Sequence, residues 1–544
     1  MKTFDNPTHN GSNEPYDLLV IGGGVNGCGI ARDAAGRGLS VLLCEKGDLA
    51  EATSSASTKL FHGGLRYLEY FEFRLVREAL VEREVLLKAM PHISWPLRFV
   101  LPIEPGLKSA ETHSALGNFL KYTMPFLGGR RPAWLIRMGL FLYDHMGGRK
   151  ILPATKTLDL ATHPVGKPLK PVFSKAFEYS DCWVNDSRLV VLNARDAMER
   201  GAEIRTRTRC ESARRTGNLW QVELKDMVTE QSFSVTAKGI INAGGPWVEE
   251  ILEDRLNLGG KDHIRLVRGS HIVVNRFFDH DQPYFLQLQD GRVVFAIPYE
   301  NDYTLIGTTD HDHEGDPASA ECTLEERDYL LVAANRFFDR QLRVDDIVWT
   351  YSGVRPLFND NASDATAATR DYVLKIDDQD ASAPLLSVFG GKITTYRKLA
   401  EEALKKLSPY YPHMGKAWTA TAPLPGGDFP VDGVSDLQAS LQETYGFLSA
   451  DWAMRLVRAY GRDAFLVYGD AKVIDDLGQG FGATLYAREV DWLVTREWAH
   501  TSSDVIWRRS KLGLLLDAEE VAKLEEYLRN VVTTLNVEHR AAHG

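Results

Sequence analysis

The chain of 544 residues is 44% hydrophobic and 25% charged, which is typical of a globular protein with two or three domains. A chain of this length buries enough apolar surface to fold without disulfide bonds. Its formal net charge of -11 argues against a nucleic-acid-binding protein. A small anionic ligand would therefore need a local cluster of cationic side chains, because salt screens distant charges over about 10 Å.

The cysteines and the N-terminal segment bear on the cellular compartment. The cysteines are scattered without a C-x-x-C pair, which favours the reducing cytoplasm and no structural zinc site. Residues 1–15 have no apolar core and no arginine, so we expect neither a secretory signal nor a transit peptide. No apolar run reaches the roughly 18 residues of a membrane-spanning helix, which leaves peripheral membrane contact open.

The first strong pattern in chain order is a βαβ unit. The apolar run Tyr16–Gly24 predicts a buried parallel strand, Asn26–Arg37 a helix, and Leu39–Glu45 a second strand. Because parallel neighbouring strands need a crossover connection, these elements predict an α/β domain.

Glycines mark the turn from the first strand to the helix. Gly22, Gly24 and Gly27 follow the pattern G-x-G-x-x-G, which permits a tight turn, close approach of backbone to a pyrophosphate and close helix packing. The helix N-terminus adds free N–H groups and the positive end of the helix dipole. Glu45 ends the second strand, where its carboxylate would accept a hydrogen bond from a ribose hydroxyl. The pattern predicts a dinucleotide site and does not distinguish NAD from FAD.

Two later segments repeat a buried strand followed by paired glycines. They are Gly239–Trp247 and Leu385–Thr395, and in the second Gly390 and Gly391 precede Lys392. Bare backbone at three strand ends would suit a large flat ligand, although a tight turn is the simpler explanation of each pair taken alone.

The remaining elements divide the chain. Glu72–Met90 has the spacing of a surface helix, with charged residues on one side and apolar residues on the other. The cluster Pro423–Gly427 precedes a tail rich in Leu, Ala, Glu and Arg, so we predict a domain boundary between about residues 407 and 427 and a helical tail. The basic segment Trp507–Gly513 is interpreted as a structural helix end.

One pattern resembles a calcium-binding loop, with five residues spaced as in an EF-hand: Asp310, Asp312, Glu314, Gly315 and Glu321. The segment before it, Tyr303–Thr308, predicts a strand where an EF-hand has a helix, and Pro317 interrupts the loop. We therefore expect no metal site. Thr323 and Glu326 predict a capping box at the start of the next helix.

Residues 117–150 mix basic and aromatic side chains within an acidic protein. The basic residues are Lys121, Arg130, Arg131, Arg137, Arg149 and Lys150, with Asp144 as the single acid, and the aromatic residues include Phe119, Tyr122, Phe126, Trp134, Phe141 and Tyr143. This composition fits an anionic lipid surface, and it fits a subunit contact or an internal helix hairpin equally well.

Several cationic residues lie near glycine turns. They are His62 and Arg66 after the fingerprint, Arg355 in TYSGVRPL, Arg370 in ATRDY, and Lys392. Arginine matches the oxygens of a phosphate with two parallel hydrogen bonds. Each residue taken alone is explained by an ordinary salt bridge, and sequence spacing does not bring them together.

A series of motifs occurs in order along the chain: VIGGGVNGCGIARDAAGRGLSV, ATSSASTKLFHGGLRYLE, FEYSDCWVNDSRLV, NAGGPW, RGSHIVV, IGTTD, TYSGVRPL, SVFGGKITTYRKLAE and WRRSKLG. With these motifs the chain resembles the FAD-dependent glycerol-3-phosphate dehydrogenases, respiratory membrane-associated enzymes of the glycine and D-amino-acid oxidase superfamily. Ile103–Met124 departs from the resemblance, because it looks longer than the loop expected in bacterial members.

The resemblance implies an α/β fold with a Rossmann-like FAD-binding domain, an interleaved α+β substrate domain and a C-terminal helical domain. The FAD-binding domain would comprise residues 16–75, 176–260 and 351–407. The substrate and membrane-contact domain would comprise residues 76–175 and 261–350, and the C-terminal helical cap residues 408–544.

The resemblance also implies the ligand-binding residues. FAD would contact Gly22, Gly24, Asn26, Gly27, Glu45, Thr53, Ser54, Ser55, Ser57, Lys59, His62, Gly63, Gly64, Gly244, Gly391 and Lys392. Glycerol 3-phosphate would contact Arg66, Tyr67, Arg355, Arg370 and Lys392.

The activity implied by the resemblance is oxidation of sn-glycerol 3-phosphate to dihydroxyacetone phosphate. Hydride would pass from C2 to FAD and electrons onward to membrane quinone. The protein would be cytoplasmic and attached peripherally to the inner (cytoplasmic) membrane, through an anionic lipid surface. The catalytic residues would be His271, Arg355 and Lys392. His271 either accepts the hydroxyl proton or orients Arg355.

Two alternatives stay open. The first is an oxidase that passes electrons to oxygen, and the second is a membrane-docked flavin-binding scaffold without turnover. The cationic set Arg66, Arg355 and Arg370 argues against a scaffold. A homodimer is one candidate assembly.

Overall fold

The structure is a computed structural model that describes residues 14–70, 72–104, 133–259, 263–358, 371–378 and 383–543. The side chains of Arg66, Glu69, Tyr70 and residues 535–543 lie outside this description.

The strands are, in chain order, β1 (Tyr16–Ile21), β2 (Val41–Cys44), β3 (Leu60–Phe61), β4 (Ser94–Pro102), β5 (Lys156–Asp159), β6 (Lys175–Val184), β7 (Glu203–Arg205), β8 (Thr208–Thr216), β9 (Leu219–Asp226), β10 (Ser232–Asn242), β11 (Ile264–Asn275), β12 (Tyr284–Gln287), β13 (Val293–Tyr299), β14 (Tyr303–Gly307), β15 (His311–Asp312), β16 (Ile347–Phe358), β17 (Val373–Asp377) and β18 (Leu385–Phe389).

The α-helices of five or more residues are, in chain order, α1 (Val25–Gly36), α2 (Phe73–Ala89), α3 (Ala133–Met146), α4 (Asp186–Glu199), α5 (Leu324–Phe337), α6 (Tyr396–Leu407), α7 (Val434–Thr444), α8 (Ala450–Tyr460), α9 (Ala464–Tyr468), α10 (Ala487–Glu497) and α11 (Ala518–His543). Shorter helical turns connect several of them.

The first sheet has the strand order β17-β18-β10-β1-β2-β7, and β9 and β8 join it through β10. The pairs β18-β10, β10-β1, β1-β2 and β2-β7 are parallel. Successive residues of β1 alternate between two cores, because side chains of a strand point to opposite faces. Leu18 and Val20 pack with α1, α4 and α6, while Leu19 and Ile21 pack with β8 and β9. The predicted βαβ unit is confirmed.

The second sheet has the strand order β15-β11-β14-β13-β12-β4-β6-β3, with β16 paired to β11 and β5 paired to β6. The strand predicted over Tyr303–Thr308 is confirmed as β14, and Thr323 and Glu326 form the predicted capping box of α5. β3, β6 and β16 belong to this sheet, although the predicted boundaries place most of their residues in the FAD-binding part. The domain boundaries stay a prediction.

The C-terminal tail is helical, as predicted. Helices α7 to α11 share one apolar core in which Leu441, Leu456 and Leu493 are buried, so this region has packing of its own. Helix α2 is more buried than a surface helix, which corrects the interpretation from sequence. Its Glu82 and Arg83 point inward to ion pairs with Arg397 and Asp181.

Candidate active site

The glycine fingerprint lies at the carboxyl end of β1 with the close contacts that its glycines permit. Gly22 has a φ of +116°, and a Cβ there would lie 2.5 Å from the carbonyl oxygen of Ala243, at the end of β10. A Cβ on Gly27 would overlap the carbonyl of Gly22. Helix α1 has Gly24 at its N-cap and no acidic side chain in its first turn. Its N-terminus therefore presents backbone N–H groups, as a pyrophosphate site requires.

Glu45 lies immediately after β2, beside this turn. Its carboxylate accepts hydrogen bonds from the N–H groups of Gly23, at 2.6 Å, and Gly47, at 2.8 Å. Burial raises the pKa of Glu45, and the two backbone donors oppose that shift without cancelling it. The acid is thus fixed at the strand end that the fingerprint predicts.

The strand ends with paired glycines meet at one edge of the first sheet. β18, β10 and β1 are neighbouring parallel strands, so their carboxyl ends lie side by side. The side-chain N–H of Asn26, on α1, donates to the carbonyl of Gly390 at 3.2 Å. The Oδ1 atom of Asn26 is buried without a hydrogen-bond partner among the described residues. Gly391 has a φ of +103°, and a Cβ there would lie 3.0 Å from Nδ2 of Asn26.

The loop of residues 53–59 is hydrogen-bonded to helix α1 and to the second sheet. The Thr53 hydroxyl donates to the carbonyl of Val354 on β16 at 2.6 Å. The Ser54 hydroxyl accepts from the N–H of Val25, the first residue of α1, at 3.0 Å. Small hydroxyl side chains therefore fix this loop to the start of α1 and to the second sheet.

The end of the same loop is fixed by a buried ion pair. The ammonium of Lys59 lies 2.8 Å from the carboxylate of Asp186, the first residue of α4, and both side chains are almost fully buried. Lys59 also donates to the carbonyl of Ser55 at 3.0 Å, and the Ser57 hydroxyl donates to Asp186 at 2.7 Å. The Lys59 and Ser57 side chains thus hold the loop itself, which leaves backbone to contact a ligand.

One face of the second sheet forms a flat floor opposite this loop. Gly269 on β11 and Gly353 on β16 are register partners, and a Cβ on Gly353 would lie 2.8 Å from Cβ of Ala56. His271 is paired with Tyr351 two residues further along, on the same face because the strand period is two. The bare backbone of Gly353 lets the loop approach the sheet.

Arg355 lies at the other side of the floor. Its guanidinium donates to the Thr308 hydroxyl at 3.1 Å and forms an ion pair with Asp310. A Cβ on Gly269 would overlap the guanidinium, so this group lies directly over Gly269. Its side chain is 26% exposed, which leaves room for an incoming anion. Asp310, part of the calcium-like pattern, pairs with this arginine.

His271 is a buried residue on this same face of the second sheet. Its Nε2 atom lies 3.0 Å from the Thr58 hydroxyl, and its ring stacks on Tyr351 with 4.7 Å between ring centroids. Its Nδ1 atom has no hydrogen-bond partner in the described part of the chain. Burial, followed by the charges of Arg355 and Lys59, holds the pKa of His271 well below its usual value. The imidazole is therefore neutral near pH 7, and the same burial and neighbouring charges disfavour its protonated form.

Tyr67 and Lys392 form a second group of predicted site residues. The ammonium of Lys392 lies 3.8 Å from the centroid of the Tyr67 ring, a cation–π contact. The backbone N–H of His62 donates to the Thr394 hydroxyl at 3.3 Å. The N–H of Gly63 donates to the hydroxyl of Tyr143, on α3, at 2.8 Å. Residues 62 and 63, which follow the loop, are thereby fixed to the turn after strand β18 and to helix α3.

Some predictions fall outside the described residues. Arg370 lies there, as does most of Ile103–Met124, and the side chain of Arg66 is not described. The predicted contacts of all these site residues with FAD and with substrate stay predictions. Gly244 adjoins Gly22 at the fingerprint, and Gly64 has a φ of +73°.

The residues at this edge fit a bound FAD. Three glycine-bearing strand ends, a helix N-terminus and a fixed acid lie together, and the buried amide oxygen of Asn26 lies close to Gly391. Such an edge of a parallel sheet is where dinucleotides bind.

Comparison with known proteins establishes the class. The model of the FAD dependent oxidoreductase family matches residues 17–397, and that of the C-terminal domain of alpha-glycerophosphate oxidase matches residues 417–541. The chain therefore belongs to the FAD-dependent oxidoreductase family, and the predicted cofactor and enzyme class are confirmed.

The chain is similar along nearly its whole length to particular dehydrogenases. It is 50% identical over 515 residues to the aerobic glycerol-3-phosphate dehydrogenase of Escherichia coli, covering 95% of this chain and 97% of the relative. It is 48% identical over 517 residues to the D-erythritol 1-phosphate dehydrogenase of Brucella abortus, covering 95% and 98%. The glycerol-3-phosphate dehydrogenase from Bacillus halodurans complexed with FAD superimposes with a TM-score of 0.69 at 27% identity, covering 96% and 91%. The family resemblance stated from the motifs is confirmed.

Sequence interpretation missed several residues of the site. Gly269 and Gly353 form the floor, Tyr351 stacks on His271, and Asp186 holds the loop. The alternation of Tyr351, Gly353 and Arg355 places these residues on one face of a strand, and this signal was present in the sequence.

Proposed function

We propose that this protein oxidises sn-glycerol 3-phosphate to dihydroxyacetone phosphate, with FAD as the immediate acceptor and membrane quinone as the next. The observation that carries the proposal is the partly exposed guanidinium of Arg355 over Gly269, on the same sheet face as His271 and opposite the loop of residues 53–59. The name of the 50% identical relative supports the substrate. The 48% identical D-erythritol 1-phosphate dehydrogenase makes a longer polyol phosphate the second candidate substrate.

Phosphate recognition is the role proposed for the cations. A phosphate monoester carries about -1.5 to -2 charges near pH 7, so one cation does not neutralise it. Arg355 is held by Thr308 and Asp310 with its guanidinium over bare backbone, which fixes the orientation of the guanidinium plane. Arg66, Tyr67, Arg370 and Lys392 would complete the substrate site.

Proton removal is the role proposed for His271. FAD, when bound, supplies the acceptor for the hydride that leaves C2. As that hydride leaves, the C2 hydroxyl must lose its proton, and a neutral imidazole accepts one. The Thr58 hydroxyl and the Tyr351 ring fix the imidazole plane, so the proton acceptor is oriented before substrate arrives.

Visible absorbance tests the proposed reaction. Purified protein without oxygen should show a flavin spectrum that bleaches with glycerol 3-phosphate and stays unchanged with glycerol or an amino acid. Faster bleaching by D-erythritol 1-phosphate would make that compound the substrate in place of glycerol 3-phosphate. A spectrum that no polyol phosphate bleaches would refute the proposal. Stoichiometric peroxide under air, with no reduction of a soluble quinone, would favour the oxidase alternative.

The role of His271 predicts a particular pH dependence. His271→Gln keeps a polar side chain that cannot act as a base, and it should slow flavin reduction at least about 100-fold. Because burial lowers the pKa of His271, protonation of this residue should not reduce the wild-type kcat/KM until the pH is well below 6.5. The substrate phosphate also titrates, near pH 6. An acidic limb that persists in His271→Gln therefore belongs to the phosphate, and a rate within threefold of wild type would exclude the base role.

Membrane contact is proposed for helix α3. Its buried face includes Leu140 and Tyr143, and its exposed side carries Trp134 and Phe141, each 53% exposed, together with Met138 and Leu142. Among the described residues, no helix is long and apolar enough to cross a bilayer. An exposed apolar stripe on a helix that is followed by the exposed Lys150 fits the surface of an anionic membrane, whereas Arg149 is paired with Asp144. A subunit contact, as in a homodimer, is the competing use of this stripe.

Vesicle binding tests this use of α3. Wild-type protein should sediment with vesicles containing anionic lipid, and the double variant Trp134→Ser/Phe141→Ser should lose most of that binding. The matched control is Leu324→Ser/Val332→Ser, which removes two apolar side chains that are each 70% exposed on α5. Equal loss in both double variants, or equal sedimentation with neutral vesicles at low salt, would contradict the proposal. A wild-type dimer that the α3 variant converts to monomer would assign the stripe to subunit contact.

A further inference from the structure

Helix α4 lies between the loop of residues 53–59 and the C-terminal helices. Its first residue, Asp186, faces the loop. The carboxylate accepts hydrogen bonds from Lys59 at 2.8 and 3.0 Å and from the Ser57 hydroxyl at 2.7 Å. The Tyr351 hydroxyl donates to the carbonyl of Ser57 at 2.9 Å, which connects this pair to the residue stacked on His271. The position of the loop therefore depends on where the start of α4 lies.

The next residues of α4 bind the C-terminal region. The ammonium of Lys511 donates to the Ser187 hydroxyl at 3.2 Å. Arg188 forms a two-point ion pair with Glu497, and both side chains are fully buried. One end of a single helix thus contacts the loop through Asp186 and the C-terminal region through the two residues that follow.

Two arginines of the C-terminal region also bind Asp48, which precedes the loop of residues 53–59 in the sequence. Arg509 donates to both carboxylate oxygens of Asp48, at 2.6 and 2.7 Å, and Arg508 donates to Asp48 at 2.6 Å. Asp48 lies three positions after Glu45 in the sequence and is buried. Residues 508–511 therefore contact Asp48, which precedes the loop of residues 53–59, and the start of α4, which holds Lys59 at the end of that loop.

We propose that Arg508, Arg509 and Lys511 are positioning residues for the FAD site, acting through Asp48 and through Ser187 and Asp186 on the chain between Glu45 and Lys59. On this inference, the C-terminal helical region is part of the flavin site. The inference rests on FAD binding and does not require glycerol 3-phosphate to be the substrate.

The charge of Lys511 favours a positioning role over simple packing. Burial, and then repulsion from Lys59, lower the pKa of Lys511, so a cation is costly at this place. An apolar side chain of similar length would fill the space without that cost. Lys511 donates to the hydroxyl of Ser187, the residue next to Asp186, so it acts on the start of α4 through that hydrogen bond.

FAD affinity tests the inference directly. Lys511→Met keeps the length of the side chain and removes its charge, and Ser187→Ala removes only the hydrogen-bond partner. Both should bind FAD at least about tenfold more weakly, measured by titrating FAD into apoprotein, and should shift the visible flavin bands. Lys511→Arg, which keeps the charge, should recover most of the affinity. The matched control is Lys523→Met on α11, whose side chain is 52% exposed, and it should match wild type.

The outcomes separate positioning from stability and from substrate choice. FAD affinity and band positions unchanged in both Ser187→Ala and Lys511→Met would overturn the inference, even if the melting temperature falls. If Lys511→Met does not fold, the result of Ser187→Ala decides. Wild-type protein that binds FAD but is not bleached by glycerol 3-phosphate would refute the proposed function and leave the FAD titration fully informative.

Discussion

Replacing Arg355 with alanine should lower kcat/KM for glycerol 3-phosphate about 30- to 5,000-fold, which corresponds to a loss of about 2 to 5 kcal/mol. The guanidinium is held over Gly269 by Thr308 and Asp310, so its orientation is set before a phosphate arrives. In the variant, Asp310 also loses its cationic partner and would repel the phosphate. Stopped-flow measurement of flavin reduction at low substrate concentration checks the expected loss.

Two further variants show whether the loss comes from geometry or from charge. Arg355→Lys keeps the charge without the planar fork, and it should recover only part of the rate. Arg340→Ala removes a guanidinium that is 51% exposed, and it should leave kcat/KM within a factor of two. A normal rate for Arg355→Ala at low substrate would exclude this residue from phosphate binding.

Replacing Arg188 with alanine should lower the free energy of unfolding by about 3 to 5 kcal/mol. The pair Arg188–Glu497 is fully buried, so the variant leaves the Glu497 carboxylate inside the protein without its two-point partner. Arg195, 3.7 Å from Glu497, compensates only in part. Denaturant unfolding followed by circular dichroism measures the change.

A hydrophobic double variant identifies the source of this destabilisation. Arg188→Met/Glu497→Leu removes both charges and should recover most of the lost stability, because the large cost arises from one unpaired buried charge. Arg462→Ala, at an exposed position in the same region, should change the unfolding free energy by less than about 0.5 kcal/mol. If Arg188→Ala and Arg462→Ala were equally stable, the buried ion pair would have no role in holding α4 to the C-terminal helices.

Local sequence patterns predicted the elements that carry their own signal. The glycine fingerprint and the apolar runs on either side predicted β1, α1 and β2, and the structure differs from the predicted bounds by no more than three residues. The Thr323 and Glu326 capping box was predicted for the same reason, because its partners are three residues apart. Local signals of this kind need no knowledge of the rest of the fold.

Helix α2 shows where local patterns mislead. Its charged residues predicted a surface helix, but Glu82 binds Arg397, which lies over three hundred residues away in the sequence. Lys59 and Ser57 show the same limit, since their common partner Asp186 is brought to them only by the packing of α4. A charged side chain looks the same in a sequence whether it faces water or a buried partner.

The sequence by itself determined the dinucleotide fingerprint, the three strands that end in glycines and the helical tail. Through its motifs it also determined the FAD-dependent family. The tertiary structure alone decided that Gly269 lies opposite Gly353, that Arg355 lies over that floor, and that Lys511 reaches the helix bearing Asp186. The physical reason is range. Strand and helix periodicity and turn geometry act over a few residues, whereas strand register and buried ion pairs join residues far apart in the chain.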